Sequence, residues 1–236
     1  MLYAIWSSKG GSGASVIVAA TAVALARRGG GRLADLAGDQ PAIFTMADDP
    51  TTGLADWLAT GCEAPTEALD RLAVQATPGI VLLPRGGFNA PADWAGDAVA
   101  GAALGVALRV GGPHTLVDVG VPTTPAARAL VEVADASVMV TRSCYLALRR
   151  AVRDDLLPRA AGVVLVEEAG RALGKREVAD VLHKPVLAHV DVRPSIARAV
   201  DAGVVAQRVP VDLLRAGEAV LDALGFAATV GGRVAG

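Results

Sequence analysis

The chain has 236 residues, is 53% apolar, and carries 24 acidic against 22 basic side chains for a net charge of −2. That length and apolar content suit one α/β domain with a full buried core. The near-neutral balance excludes a global attraction to nucleic acid or anionic lipid, so nucleic acid is not an expected partner.

The start, Met1-Leu2-Tyr3-Ala4-Ile5-Trp6, has no basic region and runs straight into glycines, so it predicts a strand, Leu2 to Ser7, rather than a signal peptide. Ser15 to Arg28 predicts a helix, stopped by Gly29-Gly30-Gly31. Its apolar stretch, Val16 to Ala26, is eleven residues broken by Thr21, and a spanning helix needs roughly 20. Ala98 to Val110 is shorter than that and broken by Gly. Both predict buried helices and no integral membrane segment. Further strands are predicted at Arg32 to Leu36, Ile80 to Leu83, His114 to Val119, Ser137 to Thr141, Val163 to Val166 and Val186 to Val190. Helices are predicted at Pro125 to Val133, Leu146 to Leu157, Lys175 to Val181, Ser195 to Ala202 and Val211 to Leu224. In the last helix Gly217 falls on the apolar face, which weakens its helical pattern. The stretch from Gly38 to Asn89 is the most irregular and predicts an insertion or mobile loops.

Apolar strands alternating with helices predict an α/β architecture, a mostly parallel, twisted sheet with helices on both faces. Residues 1–225 are read as one domain and 226–236 as a disordered tail. Cys62 and Cys144 lack metal-ligand spacing and read as reduced thiols of a cytosolic protein. Arg149, Arg150 and Arg153 read as a solvated helix face, and His189 as a packed strand residue.

The strongest chemical signal is Ser8-Lys9-Gly10-Gly11-Ser12-Gly13-Ala14-Ser15 between the first strand and a helix. Glycines reach backbone angles that other residues resist. Successive N–H groups can then line one concavity and hold an anion, helped by the helix dipole. Lysines are scarce in this chain, only Lys9, Lys175 and Lys184, yet one lies in this loop. Against the pattern G-x-x-x-x-G-K-[ST], Gly13 and Ser15 match, Ser8 replaces the first glycine, and Ala14 replaces the lysine. Ser15 keeps a hydroxyl suited to Mg²⁺. Ala14 offers a phosphate no charge.

The loop resembles the deviant phosphate loop K-G-G-x-G-K-[ST] of the ParA/MinD family, with Lys9 at the family's signature lysine. The resemblance implies that Lys9 reaches across a nucleotide-sandwich homodimer, and that Gly10, Gly11, Ser12, Gly13, Ala14 and Ser15 cradle ATP or ADP. Leu33 to Pro41 resembles the family's D-x-D-P-Q region: Asp35 aligns with the first aspartate, Ala37 stands at the hydrolytic one, and Asp39 replaces it if the loop carries two extra residues. Leu116-Val117-Asp118-Val119-Gly120 resembles the strand that brings a carboxylate, here Asp118, to the Mg²⁺ shell beside Ser15. A late pattern, Val186 to Asp191 with Arg193-Pro194-Ser195 and Ala202-Gly203, extends the likeness to about Leu224. Within the family, Asp35 to Pro41 and Arg142 to Arg150 look nearest to the CpaE/TadZ branch, which implies a cytoplasmic protein recruited to a membrane or pole by a partner from a positioning, secretion or pilus system.

Three readings stay open at this point: a nucleotide-dependent dimeric switch with slow or absent hydrolysis, a pseudo-ATPase scaffold, and a metabolic enzyme on the same architecture. The acidic residues Asp212, Glu218 and Asp222 on the last helix argue against its binding anionic lipid.

Overall fold

The computed structural model describes residues 1–60, 65–87, 97–110 and 114–226. The first strand, β1 (Leu2–Trp6), is buried along its whole length, as a central strand covered on both faces must be. The remaining strands are β2 (Gly31–Asp35), β3 (Val74–Thr77), β4 (Ile80–Leu83), β5 (Thr115–Gly120), β6 (Ala136–Arg142), β7 (Ala160–Glu167) and β8 (Val186–Asp191). They form one sheet in the order β3-β4-β2-β5-β1-β6-β7-β8. Every pairing is parallel except the β3–β4 hairpin. The helices are α1 (Ala14–Ala26), α2 (Gln40–Ile43), α3 (Leu54–Ala59), α4 (Glu67–Leu72), α5 (Ala98–Arg109), α6 (Pro125–Val133), α7 (Tyr145–Val152), α8 (Lys175–Leu182), α9 (Pro194–Asp201) and α10 (Val211–Ala223).

Alternation along the strands divides the core in two. Tyr3, Ile5 and Leu33 pack with α1, α9 and α10, while Leu2, Ala4, Trp6 and Ala34 pack with α3 through α8. Helix α1 is apolar nearly all round because it is sandwiched between the sheet and α10. Gly217 is what lets α10 approach: a Cβ there would lie 2.7 Å from the Ala20 carbonyl oxygen. The residue that weakens the sequence pattern of α10 is therefore the one its packing requires.

Several expectations are corrected. The stretch from 38 to 87 is largely ordered, with α2, α3, α4 and the β3–β4 hairpin, whose turn uses Gly79 at φ +86°. Residues 61–64, including Cys62, and 88–89 lie outside the described residues, as do 227–236 of the expected tail. Phe226, assigned to that tail, is buried, with its ring centroid 4.6 Å from that of Tyr3 and 4.2 Å from that of His114. Helix α7 ends at Val152, short of Leu157, because the Asp154 carboxylate accepts from the Leu156 N–H at 3.1 Å and turns the chain. His189 is not packed. It stands exposed on the edge strand β8, with Nε2 3.0 Å from Glu167 and 3.4 Å from Asp191. Arg149, Arg150 and Arg153 are exposed, as expected. Among the described residues, no helix is long and apolar enough to cross a membrane.

The strand order positions the site. From β1 the chain runs past β5 to β2 on one side and later returns to β6 on the other. The carboxyl end of β1 is thus a topological switch point, where open α/β sheets leave a crevice for ligands.

Candidate functional site

The loop after β1 is shaped by its backbone. Gly11 and Gly13 take φ of +73° and +87°, the left-handed region where a side chain is strained. Gly13 is the N-cap of α1, and its carbonyl accepts from the Ile17 N–H at 3.0 Å. The hydroxyls of Ser7 and Ser12 both donate to the Lys9 carbonyl, at 3.1 and 2.7 Å, and hold the curl closed. Among the described residues, none of the backbone N–H groups from Gly10 to Ser15 donates to a protein acceptor. They border a cleft of about 650 Å³. A Cβ at Gly10 or Gly11 would meet nothing within 4 Å, so these glycines leave open space where a side chain would stand in an anion's way. Unsatisfied amides at the positive end of a helix form a ready anion cradle. Residues 10–15 fit a polyphosphate, and Ala14 is part of the wall, only 6% exposed.

The opposite bank is built from carboxylates. Asp35, the last residue of β2, stands in direct register with Asp118 of the neighbouring parallel strand β5, and both are fully buried. Asp35 accepts from the Gly38 and Gln40 N–H groups at 2.7 and 2.9 Å. Asp118 accepts from the Gly120 N–H at 3.1 Å and from the Gln40 amide at 2.6 Å. The same Gln40 Nε2 donates to the Ser15 carbonyl at 3.0 Å, which ties this bank to the phosphate loop. Gly38, at φ +93°, turns the chain back, so that Asp39 accepts from the Ser15 hydroxyl at 2.9 Å.

Burial, then the charge of Asp118, pushes the Asp35 carboxyl up to about 7. Burial likewise pushes Asp118 up to about 6, against the pull of hydrogen bonds from Gln40, Ser15 and Gly120. Two buried acids this close resist double ionisation unless a cation joins them. Gln40 is fully buried, yet its Oε1 has no partner. Oxygen donors alone suit Mg²⁺. Among the described residues no cluster of three His, Cys, Asp or Glu side chains could hold a metal by itself. That also fits Mg²⁺, which takes one or two carboxylates and completes its shell with water and substrate phosphates.

The structure brings Ser15, Asp39 and residues 10–14 to one cleft, with Asp118 fully buried behind its wall beside Ser15 and Gln40. Lys9 is not in it. Its Nζ donates to the Gly10 carbonyl at 3.3 Å, and its charge falls toward Glu168, whose carboxyl is held low by Arg171 and Arg142 and, to a lesser degree, by Lys9. Sequence reasoning missed Gln40 as a bridging residue. The available signal was a Gln next to Pro41, five positions after Asp35, the aspartate that ends β2.

No protein-family model matches the chain, and no curated protein does either. Solved structures do. The septum site-determining protein MinD complexed with Mg-ADP, from Pyrococcus horikoshii, has a TM-score of 0.77 at 18% identity, covering 99% of this chain and 99% of that one. A ParA family ATPase from Chlorobium tepidum gives 0.74 at 18%, covering 95% and 99%. The MinC:MinD cell division complex of Aquifex aeolicus gives 0.71 at 17%, covering 98% of each. The chain therefore has the fold of the ParA and MinD ATPases.

Proposed function

We propose that this chain is a ParA/MinD-type nucleotide-binding protein, nearest the CpaE/TadZ branch, that acts as a dimeric positioning switch and turns ATP over slowly or not at all. One observation carries the reading: the unsatisfied amides of Gly10 to Ser15 border one cleft with the Ser15 and Asp39 side chains, and Asp118 is buried directly behind that wall on Gln40. The MinD structure of the same fold is a complex with Mg-ADP, which supports ATP or ADP with Mg²⁺ here.

The cradle amides would bind and orient the phosphates, and Ser15 with Asp118 would hold Mg²⁺, Gln40 keeping the Asp118 carboxylate ionised and aimed. Mg²⁺ supplies charge neutralisation of the β and γ phosphates. Asp39 is the group placed to hold a water or its proton, since Ala37 has no functional group. Ala14 removes a preorganised cation, and losing one such group costs on the order of 10²–10³ in rate. The MinC:MinD complex supports a protein partner, which would recruit a cytoplasmic protein to a membrane or pole.

Ala14 also favours a second reading, a scaffold that binds partners regardless of nucleotide. Nucleotide binding and oligomeric state, measured together for wild type and Lys9→Ala, separate the two. ATP-dependent dimerisation that Lys9→Ala abolishes supports the switch. A dimer indifferent to both ATP and the substitution supports the scaffold.

A further inference from the structure

A nucleotide's phosphates bring several negative charges to a cleft that is already lined by Asp39 and backed by the buried Asp118. The amides of residues 10–15 offer only partial charges, and Ala14 offers none. Lys9 lies outside the lining. Among the described residues that line the cleft, Arg85 is the only arginine or lysine.

Arg85 comes from the loop after β4, a part of the molecule without any nucleotide-binding motif. Its backbone is clamped. The Pro84 and Arg85 carbonyls accept from the Leu54 and Ala55 N–H groups, both at 2.9 Å, and the Gly87 N–H donates to the Thr51 carbonyl at 2.8 Å. Gly53 and Gly86 pass backbone to backbone: a Cβ on Gly86 would lie 2.2 Å from the Gly53 nitrogen. The origin of the side chain is therefore rigid. The side chain itself is half-buried and lies over the Gly38 turn. A Cβ on Gly38 would sit 3.2 Å from Arg85 Cδ and 3.3 Å from Nη1. Gly38 thus does two things at once: it supplies the left-handed turn that brings Asp39 to Ser15, and it leaves room for the guanidinium above that turn. A guanidinium is charged at every accessible pH and matches phosphate oxygens with a planar fork of donors.

We propose that Arg85 is the cation that meets the nucleotide's phosphates in this cleft, serving in place of a lysine at position 14. The proposal rests on the nucleotide-binding reading above and extends it to a residue on the loop that follows a different strand. A cation held on the β4 loop would also make phosphate binding sensitive to the position of that loop, which a lysine within the phosphate loop would not.

The test is a titration of the purified chain with Mg-ATP and Mg-ADP, for wild type, Arg85→Ala, Arg85→Lys and the pair Arg85→Ala with Ala14→Lys, each checked for folding by circular dichroism. Arg85→Gln replaces Arg85→Ala if the latter does not fold. Losing a charge-assisted contact is expected to weaken Mg-ATP binding roughly ten- to a hundredfold, with a smaller loss for Mg-ADP. Arg85→Lys should recover part of the affinity, and Ala14→Lys should restore it. A folded Arg85→Ala that binds Mg-ATP as tightly as wild type, while Gly13→Val does not bind, overturns the role of Arg85 and leaves the phosphate-loop reading standing. A wild type that binds no Mg-ATP overturns both.

Discussion

The two banks of the cleft are built on different principles. The phosphate-loop bank is a backbone device: glycine torsions and a helix N-terminus do the work, and side chains mostly stay out of the way. The facing bank is a side-chain device, in which Asp35, Asp118 and Gln40 are buried and mutually dependent. The first can lose a side chain, as at Ala14, and keep its shape. The second cannot lose a member without leaving another buried group unsatisfied.

Gly13→Val breaks the first bank. A β-branched residue at φ +87° costs about 1–2 kcal/mol in backbone strain and closes the cradle, so nucleotide binding should fall below detection by calorimetry. Gln40→Leu breaks the second. It leaves a buried Asp118 oxygen without its amide, a loss of about 1–3 kcal/mol visible as a lower urea midpoint at unchanged slope.

The contrast also explains what the sequence discloses. Torsion-driven features are written locally: the glycines, the strand before them and the helix after them are adjacent in the chain, so the cradle of residues 10–15 and the whole β1–α1 unit are legible. So is the alternation that yields the sheet. The second bank depends on where β2 and β5 fall relative to each other, with 83 positions separating Asp35 from Asp118. Their register, which makes a coupled acid pair, has no local signature. Gln40's place beside Pro41 is a local hint of a role, but that its amide reaches both Ser15 and Asp118 is not written locally. The order of the stretch from 38 to 87 was hidden for another reason. Its helices α2, α3 and α4 are at most six residues long, too short to show a helical period. Arg85 lies at the end of that stretch and carries no motif, so only the folded cleft shows that it lines the wall.

A subtler separation of the banks comes from pH. The folded protein holds the Asp35 proton more tightly than the unfolded chain does, since its pKa is raised to about 7. That contribution to stability is complete below the unfolded value near 4 and is lost as pH rises through about 7. The nucleotide-free protein should therefore melt at a lower temperature at pH 7.5 than at pH 5. Asp35→Asn should flatten that slope, and Gly13→Val should leave it intact.

The smallest expected effect belongs to the Lys9 side chain, whose Nζ hydrogen-bonds, among the described residues, only the Gly10 carbonyl. Lys9→Ala should change monomer stability by no more than about 0.5 kcal/mol. A larger change would mean that this lysine supports the loop's own shape rather than standing ready for a partner.

The central claim is that an intact cradle binds nucleotide without the usual lysine. Titration calorimetry of the wild-type chain with ATP, in the presence and absence of Mg²⁺, tests it most directly. Saturable binding of one nucleotide per chain, strengthened by Mg²⁺, is the predicted result. No binding at millimolar Mg-ATP by a folded protein would contradict it.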